Sequence, residues 1–157
     1  MLSGRELSAW RGMLRAHAAV TKQLDAEMLS AHDISLSSYE VLLHLDAADG
    51  GQLRMSDLAD LAVLSRSGLT RLIDRLAREE LLVRESCPSD ARGAFARLTQ
   101  AGRERLSEAR ATHIEGVRRV FLGHLSAAEQ QSLADCWAKV LPAADADCGC
   151  ATPKSAA

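Results

Sequence analysis

LRMSDLADLAVLSRSGLTRLIDRLAREELLVRESCPSDARGAFARLTQAG, residues 53–102, is the stretch whose reading decides the fold. Leu53-Arg54-Met55 is long enough only for an edge strand, and Ser56 reads as the N-cap of a short helix over 57–62. Val63-Leu64-Ser65 is a connection. Over 66–79, Leu69, Leu72, Ile73 and Leu76 fall at i, i+3, i+4 and i+7, the spacing of one buried helix face. Leu81–Glu85 reads as a strand, Pro88–Gly93 as an exposed turn and Ala94–Leu98 as the returning strand, which together make a β-hairpin.

Working outward, proline occurs only at 88, 142 and 153, so long helices are permitted over residues 1–87. Leu7, Trp10, Leu14, His17, Thr21, Leu24 and Met28 alternate spacings of three and four, a heptad-like stripe that wants a partner helix. Ser37-Ser38-Tyr39-Glu40 has the form of a capping box ahead of Val41, Leu42 and Leu45, and Asp49-Gly50-Gly51 ends that helix. Downstream, Thr99 is the N-cap of a helix to about Gly123, with Leu106, Ala109, His113, Val117 and Val120 on one side. Ser126–Glu129 is a second capping box, and its helix stops at Pro142. The order is that of a winged helix-turn-helix, mainly α, with long helices at both ends. The expected organisation is one domain over 1–142, with long outer helices at about 5–30 and 100–142, a lobe at about 36–99, and a mobile tail over 143–157.

Composition sets outer bounds. At 157 residues, 47% hydrophobic and 25% charged, the chain can bury one core and is neither disordered nor membrane-spanning by pattern. The N-terminus lacks the ordered regions of a secretory signal, so a cytoplasmic location is expected. Four cysteines, at 87, 136, 148 and 150, do not describe a disulfide framework. Formal charge is −2, which as a single number argues against a polyanion partner. By segment, however, residues 1–64 hold 5 basic and 9 acidic groups, 65–97 hold 7 and 5, and 98–157 hold 7 and 7. The positive excess lies in the helix-turn-helix and hairpin. Phosphate-binding loops, dinucleotide fingerprints, His-Glu-x-x-His and nucleophile elbows do not occur, which speaks against an enzyme, and no cofactor or metal is expected.

In its order of elements, and most specifically over 53–102 with Asp90-Ala91-Arg92 and Leu98-Thr99-x-x-Gly102, the sequence resembles the MarR family of winged-helix transcriptional regulators. The resemblance covers about residues 5–141. It implies a homodimer whose outer helices interleave and whose two winged helices reach across a palindromic operator in double-stranded DNA. Opposite the apolar stripe, the helix over 66–79 presents Ser67, Thr70, Arg71, Asp74, Arg75 and Arg78, with Ser65 and Arg66 at its start. Arginine pairs bidentately with guanine, hydroxyls bond bases or phosphates, and a helix N-terminus attracts phosphate. Arg92 at the hairpin tip suits a narrow minor groove, and by resemblance Asp90 orients it; Asp90 also suits the turn by itself. Gly68 is expected to allow close packing on the preceding helix.

The resemblance also implies a pocket between the long helices and the winged helix that accepts a small aromatic or phenolic acid and releases a repressor from nearby genes. Trp10 and His17 on the first seam, Arg11 at its edge and His44 on the second helix are the candidates. The same residues also read as core filler, interfacial histidine and surface charge, but a buried seam would more cheaply use leucine at 10 and 17, which keeps the pocket reading open. The alternatives are a redox- or metal-responsive regulator using Cys87 or Cys148 and Cys150, or a winged-helix adaptor without ligand. His113 and His124 lie about 16 Å apart along a helix and cannot share one ion within a subunit.

Overall fold

Ser3 opens the longest helix: its hydroxyl accepts from the Glu6 amide while the Glu6 carboxylate bonds back to Ser3, a complete capping box that sequence reading passed over. The computed structural model describes residues 1–62, 65–87 and 90–141, and for Arg66, 86–87 and 90–93 only the backbone. The connection at 63–64, the hairpin tip at 88–89 and the tail expected over 143–157 lie outside the described residues.

Helix α1 runs over Gly4–His32, α2 over Leu36–Ala47 and α3 over Met55–Leu61, with β1 (Gln52–Arg54) between α2 and α3. Helix α4 spans Arg66–Arg78, strands β2 and β3 span Leu82–Cys87 and Asp90–Leu98, α5 spans Gln100–Val120 and α6 spans Ala127–Val140. The winged helix-turn-helix between long terminal helices is therefore present as expected. Thr99 caps α5 by accepting from Gly102, and Ser126 with Glu129 forms the second capping box.

Four local expectations are corrected. The N-cap of α2 is Ser35 rather than Ser37, because Ser35 accepts from the Ser38 amide and Asp25 of α1 accepts from Leu36 at 2.8 Å. Helix α3 starts at Met55 after Arg54, without a side-chain cap, and Ser56 bonds Asp57 instead. The returning strand starts at Asp90, inside the stretch read as turn. A Cβ on Gly68 would meet only the Ser65 hydroxyl, at 3.1 Å, so close packing on α3 is not its reason.

The sheet is antiparallel in the order β1-β3-β2, with Leu53 opposite Ala96 and Leu82 opposite Leu98. Strand periodicity turns Ala96 and Leu98 inward and leaves Arg97 outside. The core lies in the lobe: Tyr39, Leu42 and Leu45 of α2, Leu58 of α3, Leu69, Ile73 and Leu76 of α4, and Leu82 pack with Met28 and Leu106 from the long helices. Each fully buried aliphatic side chain contributes roughly 1.5–3 kcal/mol. The long helices behave differently. Along the α1 stripe only Leu24 and Met28 are buried, Trp10 is 53% exposed, and α6 buries no residue.

Candidate nucleic-acid interface

Ser65 starts α4 by accepting from the Gly68 amide at 3.2 Å, so its hydroxyl holds one free amide of the first turn. Leu69, Ile73 and Leu76 anchor the inner face. Ser67, Thr70, Arg71, Asp74, Arg75 and Arg78 are exposed on the other, which gathers Ser65, Ser67, Thr70, Arg71 and Arg75 as the sequence predicts. Arg66 is the first residue of α4, and Asp90 and Arg92 belong to β3; nothing is described of those three side chains.

The exposed residues are not equivalent. Asp74 receives Arg84 of β2 at 2.7 Å, which ties the helix to the hairpin, and Arg78 Nε donates to the Asp74 carbonyl at 3.2 Å. Across the hairpin Arg97 pairs with Glu85, and the Arg54 guanidinium sits 5.2 Å from the Phe95 ring centroid. Arg75 reaches back to α2, donating to Ser38 Oγ at 2.6 Å and Ser35 Oγ at 3.1 Å. Arg71 makes no hydrogen bond or ion pair among the described residues, so its guanidinium is available in full.

The hairpin base is locked to α5. Thr99 Oγ1 donates to the Glu80 carbonyl at 2.7 Å and the Thr99 amide to the Leu81 carbonyl at 3.2 Å. Gly102 lies so close beneath that a Cβ there would stand 2.1 Å from the Leu81 oxygen. The Leu-Thr-x-x-Gly pattern is thus a cap and a close approach in one. The lobe is seated on the long helices by the Tyr39 and His113 rings, with centroids 4.5 Å apart, and the long helices are joined by His32 Nε2 against Thr112 Oγ1 at 2.7 Å. Burial pushes both His113 and His44 below the ordinary histidine range.

Trp10, Arg11 and His17 are exposed on α1, while His44 is half-buried in α2. His17 acts electrostatically on Glu40, whose carboxyl is nonetheless raised, chiefly by burial. An open groove of about 450 Å³ is lined by Gln23, Ala26, Glu27, Ser30, Ala31 and Thr112, and a smaller one by Met55, Ser56, Ala59, Leu69 and Thr70; neither includes the four effector candidates. Cys87 ends β2, and Cys148 and Cys150 lie outside the described residues. Among the described residues no group of three or more His, Cys, Asp or Glu is placed to hold a metal, and no helix is long and apolar enough to cross a membrane.

An amphipathic helix with an arginine-bearing outer face, carried behind a short helix and beside a hairpin wing, defines a winged-helix DNA-binding protein. The profile of the MarR family matches residues 32–93. YkoM of Bacillus subtilis (strain 168), an uncharacterized HTH-type transcriptional regulator, is 30% identical over 129 residues, covering 82% of this chain and 81% of YkoM. AbsC, a MarR family transcriptional regulator from Streptomyces coelicolor, superposes with a TM-score of 0.80 at 34% identity, covering 89% of this chain and 94% of AbsC. Sco3205, a MarR family regulator from the same organism solved in complex with DNA, superposes with a TM-score of 0.83 at 31% identity over 92% of this chain and 97% of its own. The chain belongs to the MarR family: it is a transcriptional regulator and not an enzyme.

Proposed function

We propose that the protein is a cytoplasmic homodimeric repressor, with residues 1–142 as one winged-helix unit, that binds a palindromic operator close to the genes it controls. The observation that carries this reading is the outer face of α4, where Arg71, unpaired among the described residues, stands beside Ser67 and Thr70 while Leu69, Ile73 and Leu76 of the apolar face are buried in the core. Such a face suits the major groove, with α4 reading bases and Arg92 of the wing reaching the adjacent minor groove. Dimerisation is supported by the apolar side chains that one chain leaves uncovered on its terminal helices: Trp10 and Leu14 on α1, Ile114 on α5, and Val140 at 72% exposure on α6. A two-fold pair of such chains presents two reading helices to two half-sites.

The effector is a small aromatic or phenolic acid. Trp10 offers a ring, Arg11 a cation for a carboxylate, and His17 and His44 imidazoles. Trp10, Arg11 and His17 are exposed in one chain, so a pocket built on them takes walls from the second copy. Binding needs only a differential affinity of a few kcal/mol between two spacings of the reading heads to shift the population.

The test is a gel shift with DNA from upstream of the protein's own gene, repeated over a range of salt. Specific retention with a steep salt dependence and a symmetric footprint supports the reading, whereas weak, sequence-independent association sinks it in favour of an adaptor. Calorimetric titration with salicylate, with Arg11→Ala as control, tests the effector. Heat from the parent protein lost in Arg11→Ala supports the site, and equal heat from both removes Arg11 from it.

A further inference from the structure

Arg71 and Arg75 stand one helical turn apart on the same exposed face of α4, and by pattern they are interchangeable. Their surroundings are not. One Arg75 nitrogen, Nη2, donates to both Ser38 Oγ and Ser35 Oγ, at 2.6 and 3.1 Å. The two hydroxyls are 2.8 Å from each other, and Ser35 Oγ also receives the Ser38 amide at 3.1 Å. Ser38 is 1% exposed and is the one buried polar side chain among the described residues of the core. On its other flank the same helix start is held from α1, where Asp25 Oδ1 accepts from Leu36. The first turn of α2 is therefore clamped between a carboxylate of the long helix and a guanidinium of the reading helix.

We propose that Arg75 is a positioning residue for DNA recognition: it seats α4 on the Ser35 and Ser38 hydroxyls of α2 and does not itself read the operator. Arg75 lies about 15 Å along the axis from Ser65, whereas helix-turn-helix proteins place the N-terminal part of the recognition helix against base edges. Its charge is also partly answered by Glu79, at 4.0 Å. Hydrogen bonds to bases tolerate only a few tenths of an ångström, so a small tilt of α4 on α2 misplaces Arg71 without touching it. Because Asp25 holds the opposite side of the same turn, a shift of α1 reaches the reading helix through this joint.

The inference rests on the operator-binding reading, and a double-mutant cycle on the same upstream DNA separates the two. Ser38→Ala, Arg75→Ala and the double variant are measured for operator affinity at several salt concentrations, with thermal melts to confirm folding. A buried Ser38 cannot touch DNA, so its effect must pass through the joint. Each single change is expected to weaken binding about tenfold, the double no more than the stronger single, and the salt slope to stay that of the parent. If Ser38→Ala leaves affinity unchanged, if the two effects multiply, or if Arg75→Ala lowers the salt slope by about one as a phosphate contact would, Arg75 is a reader and the inference falls. Should Arg75→Ala fail to fold, Arg75→Gln replaces it, keeping an N–H donor without the charge; retained affinity at unchanged slope supports positioning, and a slope lower by about one overturns it. A parent protein that does not retain the DNA takes down both readings, whereas a binding parent with multiplying variants takes down only this one.

Discussion

Gly102→Ala is the substitution on which the hairpin lock stands or falls. A Cβ at 102 would lie 2.1 Å from the Leu81 carbonyl oxygen and 2.7 Å from Leu98 Cδ1, against an ordinary carbon contact of about 3.5–4.0 Å. The leucine methyl can rotate, but the carbonyl is fixed by accepting from the Thr99 amide at 3.2 Å, so the first turn of α5 must lift off the hairpin base. Overpacking costs typically 1–3 kcal/mol, and a backbone obstacle places this case at the upper end. Alanine returns up to about 1 kcal/mol in helix propensity, leaving a net loss of about 2 kcal/mol. For a domain of this size that lowers the melting temperature by about 4–8 °C at fixed protein concentration. Gly12→Ala is the matched control: a Cβ there meets nothing within 4 Å, and on a helical wheel it lies opposite Trp10 and Leu14. It is expected to stabilise by roughly 0.5–1 kcal/mol. Paired thermal melts decide the matter, and a Gly102→Ala protein that melts at or above the parent refutes the close approach.

Arg71→Ala and Arg92→Ala are each expected to weaken operator binding by on the order of 1–3 kcal/mol, or to reduce the salt slope by about one, with the dimer still folded; unchanged affinity in both would remove the groove assignment. Glu80 holds φ 59, a left-handed conformation costing a non-glycine residue roughly 1–2 kcal/mol, so Glu80→Gly should raise the urea midpoint, and a lowered midpoint would count against that strain. Stability should fall with acid. His44 and His113 are depressed by burial, so the unfolded chain takes up protons first, and their contribution, complete above the ordinary value of about 6.5, is lost as pH falls from there through the depressed values. Glu40, raised by burial, has the opposite sign: its contribution is complete below about 4.3 and declines as pH rises through the raised value. Urea titrations from pH 8 to 5 on the parent and His113→Phe, which keeps the ring against Tyr39, should show a shallower decline in the variant; identical slopes would clear His113 of the effect.

What the sequence made legible was what is local. Thr99 and the Ser126 and Glu129 box cap their helices through contacts within one turn, so spacing alone finds them. Leu69, Ile73 and Leu76 sit inward because a helix in this register has only one face to bury. The start of α2 was not legible, since Ser35 and Ser37 both precede the same apolar run and the choice is made by Asp25, a residue of another helix. The engagement of Arg75 was not legible for the same reason: nothing in its own helix distinguishes it from Arg71, and only the serines of α2 do. Gly102 could have been read from Leu-Thr-x-x-Gly, but the obstacle that demands it is the Leu81 carbonyl, brought there by the returning hairpin.

The charge of the reading head shows the same division between what can be counted and what must be placed. Residues 65–97 carry 7 basic and 5 acidic groups, which suggests a modest general attraction for DNA. Of the arginines there with described side chains, Arg84 is bound to Asp74, Arg97 to Glu85, Arg78 to a helix carbonyl, and Arg75 to two serines. Arg71 alone among them is unengaged. The ion pairs of Arg84 and Arg97 withdraw two cations from those that could displace counterions, and non-specific affinity scales with that number. A head of this kind gains little from DNA at large. Its binding depends on how accurately a few side chains are aimed, which is why the seat of α4 on α2 matters more than the sum of its charges.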